Sequence, residues 1–265
     1  MKLMEGRLGF EIMVRSRQGI IPTALGARVL EEAGAVVLAE RRISALTDNL
    51  KRGYETELRV GCTPTLSLHA LPQPVADFAR DNPSIRLDMR QAHSALLAKM
   101  LHDGHVDLVI GPPEIAARVP GTETVPLFSS PVVILASRFH PLAGRKTITN
   151  QDLNDARWIL HQPGTGIREA TDILLRRLGV NETLQASELP SNMILALLRL
   201  GDHLAALPRY VLRNMDIASE LVQIAGEEPP VLLGHDAITM ASQTSKTTGK
   251  FISAMRSGLG GLGRL

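Results

Sequence analysis

The hydrophobic positions of residues 23–51 fall on one stripe of a long helix. They recur at steps of three, four and seven residues, at Leu25, Val29, Ala33, Val36, Val37, Ile43, Leu46 and Leu50. Thr23 suits the N-cap of this helix and Gly53 its end. One interpretation is that the stripe pairs with the same helix of a second subunit. The other is that the helix packs on its own domain.

From Glu57 onward, strand and helix patterns alternate, which predicts an α/β fold with a largely parallel sheet. The predicted strands lie at 58–62, 85–89, 106–111, 131–136, 158–160, 184–188, 203–207 and 237–241. The predicted helices lie at 63–80, 94–103, 166–178, 191–200 and 247–257. The pattern occurs twice, and strands return late in the chain. This predicts two lobes joined by crossover strands, with a ligand cleft between them.

Composition and charge restrict the function only loosely. The 265 residues are 44% hydrophobic and 21% charged, as in ordinary globular proteins, so a fully disordered chain is excluded. Aromatic residues make up only 3%, which argues against a surface that stacks single-stranded nucleic acid. The net charge is +2, with nine basic against six acidic residues in 1–52. The small excess of basic residues in this first segment is only weak support for a DNA-binding end.

Cys62 is the sole cysteine, which excludes an intramolecular disulfide and a zinc site built from several cysteines. We find no secretory signal and no apolar stretch long enough to span a bilayer. The simplest expectation is a protein of the reducing cytoplasm.

Two strand-to-helix junctions carry hydroxyl groups where a ligand could bind. The first is Thr63-Pro64-Thr65-Leu66-Ser67, and the second is His161-Gln162-Pro163-Gly164-Thr165-Gly166. Hydroxyls and free N–H groups at a helix start favour a carboxylate or another anion. For the first junction, the alternative is that Thr63 or Thr65 only caps the helix. The second junction is no dinucleotide fingerprint, because Glu169 stands where the third glycine would be.

Enzymatic interpretations find little support in the sequence. It contains no nucleophile elbow, phosphate-binding loop or zinc-protease motif. His102 and His105 are better explained by a solvated turn than by a metal site. Cys62 could be a nucleophile beside His69 or His93, but a small buried residue is the commoner role. We therefore predict no catalytic residue, no metal ion and no cofactor.

The start of the chain resembles LysR-type transcriptional regulators at the junction of recognition helix, wing and linker helix. The residues that carry this resemblance are Met4-Glu5-Gly6-Arg7-Leu8-Gly9, Ile12-Met13-Val14-Arg15, Ser16-Arg17-Gln18-Gly19 and Ile20 to Gly26. The body resembles the effector domain of the same family. It does so through Leu58 to Gly61 with Leu71-Pro72, Gly104 to Ile110, His140-Pro141-Leu142, Trp158-Ile159-Leu160, and Leu200-Gly201 through Leu207 to Tyr210.

The resemblance implies a two-lobed effector domain like periplasmic binding proteins, preceded by a partial winged helix-turn-helix and a long linker helix. It implies a small effector in the cleft and a homodimer or homotetramer. The residues at the family's effector positions are Thr63, Thr65, His93, Ser94, Gln162 and Thr165. Candidate DNA phosphate contacts are Lys2, Arg7, Arg15 and Arg17. Two departures are Asp202-His203, where a second glycine usually follows Gly201, and Pro22 in place of leucine.

The resemblance also implies a division of the chain. Residues 1–22 would be the end of the recognition helix and the wing, 23–53 the linker helix, and 54–257 the effector domain. The lobes would be about 58–130 with 236–257, and 137–235, followed by a disordered tail at 258–265. Met1 would fall inside the recognition helix, so we expect the first two helices of the DNA-binding head to be missing.

The hypothesis is a LysR-type regulator that binds promoter DNA under the control of a small anionic metabolite. A second hypothesis is a shortened ligand sensor, or a partner that weakens an intact relative through mixed oligomers. A third is a small α/β enzyme acting on an organic acid. Salt-dependent promoter binding would contradict the second hypothesis, and ligand turnover would contradict the first.

Overall fold

A computed structural model describes residues 2–17, 19–180, 186–225 and 230–262. The chain begins with helix α1 (Lys2–Leu8), a hairpin of β1 (Met13–Ser16) and β2 (Gly19–Pro22), and helix α2 (Ala24–Lys51). β1 and β2 pair antiparallel. Among the described residues, the hairpin is therefore the only regular structure between α1 and the long helix.

The junction between the hairpin and α2 is closely packed. The Thr23 hydroxyl accepts a hydrogen bond from the Gly26 amide at 2.8 Å, which caps α2, and donates one to the Glu11 carbonyl at 2.8 Å. Gly26 is buried against the main chain of Ile12, where a Cβ would lie 1.9 Å from the carbonyl oxygen. Glu5 accepts a hydrogen bond from the Ile12 amide at 2.9 Å. These contacts set the direction in which α2 leaves the hairpin.

Helix α2 is a single 28-residue helix, as the hydrophobic pattern predicts. Between Ala27 and Asp48, every side chain that the structure describes is at least partly exposed. The exposed apolar side chains include Leu30, Val36 and Ile43. The described part of the chain thus contradicts the interpretation in which this stripe packs on its own domain.

At its far end, α2 meets the body through a buried asparagine. Asn49 is 1% exposed, and its side-chain oxygen accepts a hydrogen bond from Arg86 at 2.9 Å. Arg86 also pairs with Glu57 at 3.0 Å. The body's remaining helices are α3 (Pro64–His69), α4 (Pro72–Asp81), α5 (Ser94–His102), α6 (Asn150–Asp155), α7 (Gly166–Arg177), α8 (Ser191–Leu200), α9 (Met215–Glu220) and α10 (Lys246–Leu259).

The body's strands are β3 (Thr56–Cys62), β4 (Ile85–Gln91), β5 (Leu108–Gly111), β6 (Thr122–Ser137), β7 (Arg157–His161), β8 (Ala186–Leu189), β9 (His203–Pro208), β10 (Leu221–Ala225) and β11 (Leu232–Met240). Short 3₁₀ helices cover Pro113–Arg118, Arg209–Arg213 and Ala241–Gln243. The strand order is β4-β3-β5-β11-β6-β9-β7-β8, with β10 also paired to β6.

The prediction of a largely parallel sheet is wrong. Within each lobe the strands β3, β4 and β5, and β7, β8 and β9, pair in parallel. The long strands β6 and β11 instead pair antiparallel with each other and with their neighbours. The first part of β6 pairs with β11, and residues from Val132 onward pair with β9. β6 therefore passes from one lobe to the other, which gives the predicted two-lobed fold.

Two further predictions need correction. The helix predicted from 63 to 80 is two helices, because Pro72 starts α4 and restricts the residue before it. The disordered tail is wrong for residues 258–262: α10 continues to Leu259, which is buried on the same helix face as Phe251 and Met255. Residues 263–265, and residues 184 and 185 of the predicted strand 184–188, lie outside the described residues.

Candidate functional site

A narrow cleft with a volume of about 30 Å³ lies between the two lobes. It is lined by Thr63, Pro64, Thr65, His93, Ser94, Pro112, His161, Thr165, Gly166, Ile167, Ser191, Tyr210, Leu233 and His235. No Lys, Arg, Asp or Glu is among these lining residues. Any charge that the cleft holds must therefore be stabilised by dipoles and hydrogen bonds.

Three helix starts line the cleft, that of α5 from one lobe and those of α7 and α8 from the other. Ser94 is the first residue of α5, Gly166 of α7 and Ser191 of α8. α5 and α8 have no side-chain cap, since their N-cap residues are His93, which makes no capping bond, and Pro190. The first N–H groups of an uncapped helix lack intrahelical partners and carry a partial positive charge. These two starts can therefore donate hydrogen bonds to an anion.

The start of α7 is different because its threonine is already engaged. The Thr165 hydroxyl accepts a hydrogen bond from the Arg168 amide at 3.3 Å and donates one to the Gln162 carbonyl at 3.0 Å. Thr165 thus caps α7, whereas Thr63, for which capping is the alternative interpretation, makes no side-chain capping bond to α3. Its place on the cleft wall still leaves its side chain beside any ligand.

Five of the six predicted effector residues line this one cleft: Thr63, Thr65, His93, Ser94 and Thr165. Gln162 is exposed and is not among the lining residues, and its carbonyl only holds Thr165. The two junctions picked out by sequence thus face each other. The Thr65 hydroxyl donates across the cleft to Ser191 Oγ at 3.4 Å.

His161 ends β7 at the cleft and is 3% exposed. Burial, with smaller effects of the nearby His93 and Arg168, lowers the pKa of His161 to about 4. Arg168 donates to the His161 carbonyl at 2.8 Å and pairs with Asp172 and Glu188 at 2.8 and 2.6 Å. The imidazole is therefore neutral at pH 7, and the one cation beside it is held by two carboxylates.

The buried side of the cleft, which we call the floor, consists of Tyr210 and His235. Each is 2% exposed. Phe128 packs beside both rings, at centroid distances of 5.6 Å to Tyr210 and 4.7 Å to His235. Burial lowers the pKa of His235 to about 3 and raises the pKa of the Tyr210 hydroxyl above its usual range. Both groups are therefore uncharged at neutral pH.

Sequence reasoning missed the floor residues and Ser191. Pro190-Ser191 before an apolar run does signal a helix start, and could have marked Ser191 as it marked Ser94. His235 lies in strand β11 and has no local motif. Tyr210 is the last residue of a segment that carries the family resemblance, but nothing in that segment indicates a ligand.

The predicted DNA-contacting residues all lie in the head. Lys2 and Arg7 are on α1, Arg15 is on β1, and Arg17 is in the hairpin turn. All four are exposed. The structure thus leaves them accessible to a polyanion.

Catalytic alternatives gain no geometric support. Burial raises the pKa of the Cys62 thiol to about 11, whereas a nucleophilic cysteine needs its thiolate form. Over the described ranges, no three His, Cys, Asp or Glu side chains are grouped so as to hold a metal ion. None of the described helices is both long enough and apolar enough to span a membrane.

Comparison with known proteins connects this geometry to a family. Residues 51–260 match the model of the LysR substrate binding domain family. The regulator GalR of Pseudomonas putida is 28% identical over 234 residues, which is 84% of this chain and 56% of that protein. The transcriptional activator LysR of Escherichia coli is 27% identical over 194 residues, 73% of this chain and 62% of that protein. The chain thus spans little more than half the length of these relatives.

Solved structures agree with the fold. Full-length CbnR in complex with its target DNA superposes with a TM-score of 0.66 at 20% identity, covering 97% of this chain and 88% of that chain. The regulatory domain of CcmR from Synechocystis, solved with 2-PG, superposes with a TM-score of 0.65 at 25% identity, covering 76% of this chain and 96% of that chain.

Proposed function

The chain belongs to the LysR substrate binding domain family, and from this we propose that it is a LysR-type transcriptional regulator controlled by a small anionic metabolite. The metabolite binds in the cleft between the lobes and favours one lobe arrangement over another. That preference changes how the oligomer holds promoter DNA. The role is one of binding, not catalysis, in the cytoplasm.

The observation that carries the ligand part is the pair of uncapped helix starts, α5 and α8, which line the cleft from opposite lobes among residues without charged side chains. Unpartnered N–H groups at helix starts attract a carboxylate or phosphate without needing a cation. The proposed effector contacts are Thr63, Thr65, His93, Ser94 and Thr165. Gln162 supports them through its carbonyl. The similar Synechocystis domain is in complex with a small molecule, 2-PG, which supports this role.

The DNA part rests on the head and on α2. Lys2, Arg7, Arg15 and Arg17 would contact phosphates, which position a protein without reading sequence. The exposed stripe of α2 would pair two chains, and a homotetramer would follow through further contacts. The proposed division is head 1–22, linker helix 23–53 and effector domain from 54. The similarity to CbnR, which is solved with target DNA, supports this arrangement.

The test is fluorescence anisotropy of the purified chain with DNA from beside its own gene, at several salt concentrations. The expected result is binding that weakens steeply with salt, because phosphate contacts release counterions. The Arg15→Gln and Arg17→Gln variants should each weaken binding to all DNA sequences. Each should also reduce the slope of log binding constant against log salt concentration by about one per lost phosphate contact. The control is Arg176→Gln, on exposed α7. Ligand binding without DNA binding would favour the ligand sensor instead.

A further inference from the structure

The floor of the cleft holds polar atoms that make no hydrogen bond to any described residue. They are the Tyr210 hydroxyl and both imidazole nitrogens of His235. Nε2 of His161, at the same cleft, also lacks a hydrogen-bond partner among the described residues. All three side chains are at least 97% buried and line the cleft. Buried polar atoms are rarely left without partners in native proteins. Three such side chains at one cavity therefore indicate that something else supplies their hydrogen bonds.

The chemistry of these groups is neutral and mixed. A neutral tyrosine hydroxyl donates one hydrogen bond and accepts others, and a neutral imidazole has one donor and one acceptor nitrogen. The surrounding surface is apolar, with Phe128 against both floor rings and Leu233 in the lining. The floor can therefore hold an uncharged group that accepts hydrogen bonds, such as a carbonyl, or one that both accepts and donates them, such as a hydroxyl.

We propose that Tyr210 and His235 form a second subsite that selects a carboxylate effector bearing an uncharged hydroxyl or carbonyl group at its far end. This rests on the proposed function, because the helix starts of α5 and α8 hold the carboxylate end. The ligand class is thus hydroxy or oxo monocarboxylic acids.

Two related ligand classes fit less well. A second carboxylate at the floor would be buried against neutral groups, with no Lys or Arg in the lining to balance it. Arg168, behind the wall, is already paired with Asp172 and Glu188. A purely apolar tail would fill the space but leave the Tyr210 hydroxyl and His235 without partners, which is penalised. The floor thus favours hydroxy and oxo acids over apolar acids by hydrogen bonding, and over dicarboxylates by charge.

The experiment measures binding of matched acids to the full chain by calorimetry and thermal shift. One series is 4-hydroxybutanoate, butanoate and succinate, and a second is 4-hydroxybenzoate, benzoate and terephthalate. We expect the hydroxy acid of at least one series to bind about tenfold more tightly than its partners, the effect of one well-placed hydrogen bond. Equal affinity within both series overturns the floor assignment, as does a preference for the dicarboxylate.

Variants link that preference to the floor. Tyr210→Phe should abolish the advantage of the hydroxy acid, because it weakens binding of the hydroxy acid and removes the penalty on binding of the unsubstituted acid. Tyr54→Phe, which alters the other tyrosine, outside the cleft, is the matched control. His235→Gln should retain part of the advantage because it keeps a donor and an acceptor, whereas His235→Leu should lose it. A preference that survives both Tyr210→Phe and His235→Leu overturns the proposal.

Stability gives an independent readout. Because its hydroxyl has no partner among the described residues, Tyr210→Phe should melt at the same or a higher temperature than the parent without ligand. A clear loss of stability would show a hidden partner and overturn the assignment. The floor assignment is also overturned if none of the acids binds. DNA binding by the same protein, measured in parallel, shows whether the proposed regulator function fails too.

Discussion

The Thr65 hydroxyl donates to Ser191 Oγ at 3.4 Å and so connects a helix of one lobe to a helix of the other. Thr65 lies in α3 and Ser191 begins α8, 126 residues later. The bond is long, so its own contribution to stability is small. Its position matters more, because it joins the lobes at the wall where the anion would bind.

Replacing Ser191 should weaken ligand binding without unfolding the protein. Ser191→Ala removes both the cross-cleft acceptor and a hydroxyl beside the uncapped start of α8. We expect anion affinity to fall about two- to tenfold, the range of one hydrogen bond. Calorimetry with the best acid of the matched series measures this. Ser253→Ala, on the exposed face of α10, is the control, and an equal loss there would count against the assignment.

Gly166 should be needed for the lobes to approach each other. A Cβ added there would lie 2.5 Å from Oε1 of Glu114 and 3.1 Å from Cγ of Pro112. Gly166→Ala should cost about 1–3 kcal/mol of unfolding free energy, as overpacking does, and weaken ligand binding. Adding Glu114→Ala should recover part of the loss, because a flexible side chain makes the closest contact.

Gly249→Ala is the matched control for Gly166, since no atom lies within 4 Å of its added Cβ in α10. It should leave stability unchanged or raise it by up to about 1 kcal/mol, the helix propensity of alanine over glycine. Urea unfolding measures both variants. Equal effects at the two positions would contradict the close approach at Gly166.

Two glycines of α2 should respond in opposite directions. Gly26→Ala would place a Cβ 1.9 Å from the main-chain oxygen of Ile12, which cannot move as a side chain can. The hairpin must then shift relative to α2, so DNA affinity should fall at least tenfold while binding of the acid in the cleft stays unchanged. Gly34→Ala meets no atom within 4 Å and should stabilise α2 by about 1 kcal/mol. DNA titrations of both variants test this contrast.

The exposed stripe of α2 should hold two chains together. Val36 is 70% and Ile43 66% exposed, and they lie seven residues apart on one helix face. Val36→Glu with Ile43→Glu should convert a dimer or tetramer into a smaller species in analytical ultracentrifugation. Ala27→Glu, on the opposite side of the helix, is the control. An unchanged mass for the double variant would place the interface elsewhere.

Acidic pH should destabilise the folded chain through its buried histidines. The pKa values of His161 and His235 are lowered to about 4 and about 3, below the usual 6.5. Between the lowered pKa values and 6.5, the unfolded chain binds more protons than the folded one. The free energy of unfolding is therefore highest above pH 6.5 and falls as the pH decreases toward 4. Each histidine lowers the free energy of unfolding by up to about 1.4 kcal/mol for each pH unit of acidification in this range.

Urea unfolding at pH 7.5, 6.5 and 5.5 measures this slope. His235→Leu should remove about a third of it or less, because His69, whose pKa burial also lowers to about 4, contributes as well. His102→Gln, at the exposed end of α5, should leave it unchanged. A stability that rises between pH 6.5 and 5.5 would contradict the neutral, buried state of these imidazoles.

The sequence by itself determined the local elements and the helix starts. The α2 stripe, its Thr23 cap, and the bounds Ser191–Leu200 follow from neighbouring residues, because capping and helical periodicity act over a few positions. The same local chemistry picked out Thr65 and Ser94, which the structure places on one cleft wall.

Only the tertiary structure decided how distant segments meet. The antiparallel pairing of β6 with β11 joins residues more than 90 positions apart, and no local pattern specifies that partner. The same pairing places His235 beside Phe128, with a centroid distance of 5.7 Å from His235 to Tyr210. Leu259 is buried because α10 brings it to the core, although its glycine-rich neighbours favour disorder. A floor made from two separate segments, with Tyr210 after β9 and His235 in β11, becomes visible only in the folded chain.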